Sequence, residues 1–270
     1  MRTIRFTILG ATLALVVPHA QAQEAAPIHP ALNDKFYFAL GAFVPKTTTS
    51  AQLDSSTLGA GANIDFERAL GITTQKTVPD AFARWRISDR WRAEAEYFAL
   101  NRMGSKVLEQ DIQWGDKVFT VGTNITSKFN FADVRISGGY SLFRRPDKEV
   151  GVGLGFHVAR YNVGLDAAGT GDEAKKVTAP LPVLSAYGQF ALTETWAVGA
   201  RLDRFAISYD KYDGNLTSMG IDLNYQPFRH VGFGFAYRSL FIILKATGDQ
   251  LTAKFAQTFQ GPLLYMNASF

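Results

Sequence analysis

Hydrophobic and polar residues alternate with a period of two along most of this chain, and the 3.6-residue period of a helix is nearly absent. In segment 81–87, Trp85 and Ile87 share one side, whereas Arg84 and Arg86 share the other. Such alternation is typical of strands whose two faces meet different surroundings. The pattern therefore predicts an all-β protein.

The alternating segments predict about ten antiparallel strands joined in chain order. We place them at 35–53, 75–88, 91–113, 117–144, 149–166, 179–193, 195–209, 215–226, 229–246 and 250–270. Eight or twelve strands remain alternatives because segment 46–76 is ambiguous: its residues 64–70 form either a strand or a helical turn folded into the mouth of a barrel.

The predicted connections fall into two classes. Short turns are expected at 88–90, 144–148, 193–195 and 226–230. Longer or more polar loops are expected at 46–76, 114–117, 166–178, 210–215 (a turn built on Asp213-Gly214) and 247–250. Short turns at one end and long loops at the other are typical of an up-and-down transmembrane barrel.

The alternation slips at two points. Phe129 and Phe131 share parity with the charged Asp133 and Arg135, so we expect a β-bulge near Ala132. A second slip is expected near residues 160–161.

Charges of both signs occupy one face of the predicted strands. In a lumen they can pair with one another, whereas each would cost several kcal/mol against lipid. The predicted lumen-lining residues are Arg84, Arg86, Arg92, Glu94, Glu96, Asp133, Arg135, Arg201, Asp203 and Arg238.

Aromatic residues flank the short turns, where a membrane-interface girdle belongs. The predicted girdle consists of Trp85, Trp91, Trp196 and Tyr225. A soluble lipocalin-like barrel, with its apolar face inward, is the alternative that this girdle and the charged face argue against.

Composition narrows the function classes. The 270 residues are 47% hydrophobic and 13% aromatic, and the absence of cysteine excludes disulfide scaffolds, thiolate zinc sites and cysteine nucleophiles. Residues 1–22 combine two arginines, a short apolar run and an Ala-Gln-Ala cleavage site, which predict a signal peptide. An N-terminal arm (23–34) and one barrel domain (35–270) follow. The small net charge of +4 argues against nucleic-acid binding, and no cofactor or metal is predicted.

The last strand, 264–270, alternates and ends in an aromatic residue, Phe270. This terminus resembles the assembly signal of bacterial outer-membrane β-barrel proteins. The whole mature chain resembles the small barrels of the outer-membrane protein W and opacity-type groups. The resemblance implies a location in the Gram-negative outer membrane, contact with its lipids and lipopolysaccharide, and recognition of Phe270 by the barrel assembly machinery. It implies neither a substrate nor an oligomeric state.

Three functions follow as hypotheses. The leading hypothesis is a porin-like passive channel for small solutes, which would use the charged lumen as its filter. A non-conducting barrel would fill the lumen with ion pairs and act through loops 46–76 and 166–178, in adhesion, ligand contact or envelope integrity. A hydrolase is the least favoured hypothesis, and it would need His157 to pair with Ser137 or Ser141.

Overall fold

The computed structural model describes residues 28–55, 63–109, 111–114, 117–167, 171–209, 212–247 and 251–270. The predicted signal peptide lies outside these ranges. The strands are β1 (Phe36–Phe43), β2 (Lys46–Ser55), β3 (Asn63–Asp65), β4 (Val78–Arg86), β5 (Trp91–Val107), β6 (Ile112–Trp114), β7 (Lys117–Phe119), β8 (Asn124–Arg145), β9 (Lys148–Ala167), β10 (Gly171–Ala191), β11 (Trp196–Tyr209), β12 (Tyr212–Tyr225), β13 (Val231–Thr247) and β14 (Leu251–Ser269). Two short helices, α1 (Pro30–Asn33) and α2 (Phe66–Leu70), accompany them.

The described strands form a closed antiparallel barrel whose wall has ten strand positions, called staves. Their order is β1, β4, β5, β8, β9, β10, β11, β12, β13 and β14, and the barrel closes where β14 pairs with β1. The ten-stranded all-β prediction is therefore confirmed. β1 and β2 form a single stave along β14, interrupted where Pro45 lacks a backbone donor. Gly261 is required opposite this break, because a Cβ there would collide with the Val44 carbonyl.

Neighbouring residues of each stave face opposite environments. On β14, Leu263 is 1% exposed inside the barrel, whereas Leu264 is 64% exposed on its outer wall. Leu40, Leu154 and Ile221 are exposed on other staves in the same way. This apolar outer belt is the surface that a barrel presents to lipid.

None of the helices in the described ranges is long and apolar enough to cross a membrane.

Several predicted loops are strands instead. Most of 166–178 belongs to β9 and β10, whose long hairpin pairs up to Ala167 and Gly171. The 210–215 turn on Asp213-Gly214 is also wrong, because both residues pair within β12. Within 46–76, residues 66–70 form the helical turn α2, as one of the two alternatives predicted.

The two predicted slips are absent. β8 pairs without interruption past Phe129, Phe131 and Asp133, and the observed register shift lies between Ser141 and Phe143. The pairing of β9 is also regular through 160–161. Phe129 and Phe131 keep the parity of the charged residues because they too point inward, where both are buried.

Candidate functional site

The half of the barrel interior that lies next to the short turns (the inner half) contains a buried network of ion pairs. Its centre is Glu94. Its carboxylate pairs with Arg92 at 2.9 Å, with Arg135 at 3.2 Å and with Arg201. Arg135 also binds Glu96 at 2.6 Å. Since β5, β8 and β11 supply these groups, the network ties non-adjacent staves together across the interior.

Further groups on β8 and β11, together with groups on β4, β9 and β13, extend the network. Asp203 pairs with Arg201 at 2.8 Å and lies 3.8 Å from His157, whose other ring nitrogen lies 2.8 Å from Asp133. On the opposite wall, Arg238 joins Asp80 at 2.9 Å and also contacts Glu96.

All ten predicted lumen-lining side chains lie inside the barrel. Asp80, Glu149 and Tyr187 also line the interior, and all three share the parity of the predicted inward residues. Glu149 binds Arg86 at 2.6 Å, and the Arg92 guanidinium stacks 3.2 Å from the Tyr187 ring centre. The Tyr187 ring lies over Gly151, where a Cβ would collide with it, so the glycine makes room for a large neighbour.

The charges of this cluster balance. It contains the guanidinium groups Arg84, Arg86, Arg92, Arg135, Arg201 and Arg238. It contains an equal number of carboxylates, Asp80, Glu94, Glu96, Asp133, Glu149 and Asp203. Mutual neutralisation of buried charges is what a packed interior requires.

Helix α1 covers the end of the barrel that carries the short turns. Its carbonyl groups at Ala31 and Leu32 accept hydrogen bonds from Arg84 and Arg86. His29 caps the helix, accepting from the Ala31 backbone N–H at 3.1 Å, and is fully buried. Burial lowers the pKa of His29, against the opposing effects of the Thr195 backbone and Asp34.

The N-terminal arm is also fixed beside the barrel's closing strand. Arg229 donates to Asp34 at 2.7 and 3.0 Å, and the Ser269 hydroxyl donates to it at 2.7 Å. Burial raises the pKa of Asp34, but these hydrogen bonds outweigh it, so the pKa lies below its ordinary value. The arm is therefore held at the barrel rim by both a charge pair and α1.

The other half of the interior, on the side of the long hairpins (the outer half), is largely apolar. Phe98, Phe131 and Phe259 meet there with ring centres 4.4 to 5.7 Å apart. Phe66 and Leu70 of α2 join this core from the mouth. Arg102, also buried, binds Glu67 of the same helix at 2.5 Å and so fastens it to β5. This apolar core differs from the charged lumen that the sequence predicts, because inward-facing residues near the mouth are aromatic or aliphatic.

A cavity of about 120 Å³ remains beside the ion-pair network, bordered by Glu94, Arg135, Arg201, Asp222 and Tyr265. Charged and apolar side chains both line it, and it has room for several water molecules.

His157 does not pair with Ser137 or Ser141, as the hydrolase hypothesis requires. Its ring nitrogens face two carboxylates. Ser137 accepts hydrogen bonds from Arg135 and Arg201, and Ser141 donates to Glu149. No group of three or more metal-ligating side chains occurs in the part of the chain that the structure describes.

The predicted girdle residues lie on the outer wall next to the short turns, where Trp85, Trp91, Trp196 and Tyr225 are 37 to 54% exposed. Trp196 and Tyr225 stack with their ring centres 4.5 Å apart. Phe270 exchanges two backbone hydrogen bonds with Phe36, at 2.8 and 2.9 Å, where the barrel closes.

No protein-family model matches this chain, and no curated protein matches its sequence. Solved structures do match its fold. The outer membrane protease OmpT of Escherichia coli superposes with a TM-score of 0.56 at 9% identity, covering 92% of this chain and 99% of OmpT. Ail, the attachment invasion locus protein of Yersinia pestis, gives 0.37 at 9% identity, covering 87% and 99%. The toluene transporter TbuX of Ralstonia pickettii gives 0.36 at 12% identity, covering 91% and 92%.

The closed barrel and its apolar outer belt define a transmembrane β-barrel of the bacterial outer-membrane class. The predicted fold class and location are confirmed. At these identities the likeness is one of fold.

Proposed function

We propose that this protein is a non-conducting outer-membrane barrel, in which the interior serves as a folded core and the outer surfaces carry the function. The observation that supports this most directly is the apolar core of the outer half, into which α2 inserts. A channel for small polar solutes would have to pass Phe98, Phe131 and Phe259, which are buried against one another.

Two further layers support the same proposal. The balanced ion pairs hold the staves together across the inner half, and removing one member would leave another charge buried and unpaired. Helix α1 covers the end next to the short turns and uses two of the lumen arginines to do so.

The outer surface offers the area through which such a barrel would act. β9 and β10 have 20 and 21 residues, against the roughly 9–11 needed to cross a bilayer. Their paired hairpin therefore projects beyond the membrane as a two-stranded surface. Adhesion, ligand contact or envelope integrity would use this surface.

The porin-like channel is the second candidate, favoured by the charged cavity beside Arg135 and Arg201. Planar-bilayer recording of the refolded full chain separates the two. We expect no single-channel steps from the natural sequence.

A silent recording would also result if no protein inserted into the bilayer. A variant that is expected to conduct is therefore needed as a positive control. Deletion of 28–33 removes α1, Phe66→Ser with Leu70→Ser removes the apolar anchors of α2, and Phe131→Ala with Phe259→Ala removes the aromatic contact beneath it. We expect this opened variant to conduct. Discrete steps from the natural sequence, with ion preference altered by Arg135→Gln, would overturn the proposal in favour of the channel.

A further inference from the structure

Asp222 on β12 is an inward-facing carboxylate that has no cationic partner in the part of the chain that the structure describes. The six carboxylates of the ion-pair network each lie 2.6 to 2.9 Å from an arginine or histidine nitrogen. The Asp222 carboxylate instead accepts a hydrogen bond from the Tyr265 hydroxyl at 3.4 Å. Because a charge removed from water is costly unless it is paired, this carboxylate requires a positive charge that the described side chains do not supply.

Glycines on the neighbouring strands allow Asp222 and Tyr265 to lie against the barrel wall. Gly199 of β11 is paired with Asp222, and a Cβ there would collide with the carboxylate. Gly234 of β13 is paired with Tyr265 in the same way, and a Cβ there would collide with the phenol ring. The two side chains therefore lie close to the wall, which leaves the space on their lumen side open.

That space is the cavity of about 120 Å³ beside the ion-pair network. Its wall next to Asp222 is apolar, because Ala236 is paired with Asp222 and Leu263 is paired with Ala236. Arg201 and Arg238 also border the cavity, but each of them already binds two carboxylates. The uncompensated charge of the cavity is therefore negative, and it lies beside an apolar surface.

This combination suits an ammonium group carried by a short carbon chain. An ammonium group offers three hydrogen-bond donors, and the carboxylate of Asp222 and the hydroxyl oxygen of Tyr265 are acceptors for them. A metal ion would need several oxygen ligands, and no group of three or more metal-ligating side chains occurs in the described ranges. The size of the cavity limits the carbon chain to a few atoms.

We propose that this cavity binds a small organic ammonium ion. The charged group binds Asp222 and the Tyr265 hydroxyl, and so supplies the charge that the carboxylate lacks. The carbon chain packs against Ala236 and Leu263, in the volume that small inward side chains such as Ala39 leave open. The site does not depend on whether the lumen conducts, because binding in detergent requires no current.

The test is titration of the full chain, folded in an uncharged detergent, with n-propylammonium chloride while alanine methyl signals are followed by NMR. The methyl groups of Ala39 and Ala236 line the cavity, so we expect both signals to shift and to saturate. Asp222→Asn keeps the size of the side chain but removes its charge, and it should weaken binding at least tenfold. Asp89→Asn is the matched control, because that carboxylate is 98% exposed on a short turn. We expect it to change the affinity less than twofold.

Three further arms identify the occupant. 1-Propanol has the same carbon chain without the charge and should cause no saturable shift. Ala39→Leu fills the cavity and should abolish the shift of the Ala236 signal, while the circular dichroism remains that of a barrel. Sodium chloride at an equal concentration should not displace n-propylammonium. Unchanged affinity in Asp222→Asn would overturn the proposal in favour of a neutral Asp222. Equal binding of 1-propanol would overturn it in favour of a merely apolar cavity, and displacement by sodium in favour of a metal ion.

Discussion

Glu94 makes more charged contacts than its neighbours on β5, because three arginines share its carboxylate. Glu94→Gln keeps the size of the side chain but leaves these guanidinium groups without their common partner. Breaking a buried ion pair costs about 3–5 kcal/mol, so we expect a clear fall in the urea midpoint of the barrel in micelles.

Asp89→Asn is the matched control for this substitution. Asp89 also pairs with an arginine, Arg144, but its side chain is 98% exposed. Exposed pairs contribute little to stability, so its midpoint should not change measurably. Equal midpoints for the two variants would mean that the network around Glu94 is not a stabilising core.

His29 makes the attachment of α1 depend on pH. Its pKa in the folded protein lies below the ordinary value, since burial disfavours the charged ring. The stability that neutral His29 contributes is therefore complete above about pH 6.5 and is lost as the pH falls towards the folded-state pKa. We expect a fluorophore on Ile28→Cys, in a chain without other cysteines, to report release of α1 at acidic pH.

His29→Asn isolates this effect, because asparagine also caps helices but does not titrate. The variant should hold α1 over the whole pH range, while other titrating groups such as His157 remain the same in both proteins. Release at the same pH in both proteins would show that another group controls the helix.

For single residues, the sequence predicts which way a side chain points better than it predicts the polarity of its surroundings. The alternation along each strand alone predicts that Arg84 and Glu94 point into the barrel. It predicts the same for Asp80 and Glu149. What parity cannot supply is the polarity of the interior. Phe129 and Phe131 suggest a bulge only if the lumen is polar throughout, whereas at their level it is apolar and the strand pairs regularly.

Among the elements, β14 shows how strongly the apolar interior contributes to folding. Leu263→Ala removes a side chain packed in the core, whereas Leu264→Ala removes its neighbour from the lipid-facing wall. A buried Leu→Ala change costs about 2–5 kcal/mol because a cavity remains. We expect Leu263→Ala to lower the urea midpoint well below that of Leu264→Ala, since lipid or detergent can fill the outer gap. The reverse order would contradict the assignment of faces.

Strands that leave the membrane are hard to predict from sequence. Residues 171–178 of β10 are polar, charged or glycine for the most part, which is also the composition of loops. Outside the bilayer neither face of a strand has to meet lipid, so the apolar alternation that marks a membrane stave weakens. Pro180 and Pro182 are an exception, because proline in a strand indicates an unpaired edge. The pairing of β10 with β11 does end beside them, at Leu184.

For the whole molecule, the barrel wall can be predicted from the sequence, but the segments and side chains that fill its interior cannot. Ten staves, their direction and their short turns follow from local periodicity. The filling of the lumen depends on long-range contacts, such as α2 against Phe129 on β8 or α1 against Arg84 on β4. No periodic pattern records which distant segment will occupy the interior of a closed sheet.

The depth of the barrel in the membrane is set by its aromatic girdle. Trp85, Trp91 and Trp196 are exposed at one level of the outer wall, beside the short turns. Indole rings favour the headgroup region. With the outer-hairpin Trp114 replaced by phenylalanine, the remaining fluorescence in vesicles should be quenched strongly by lipids brominated near the headgroup. Lipids brominated at the chain ends should quench it weakly, and strong quenching by them would place the girdle inside the hydrocarbon. Quenching mainly by aqueous iodide would instead indicate a barrel that does not insert, as the lipocalin-like alternative requires.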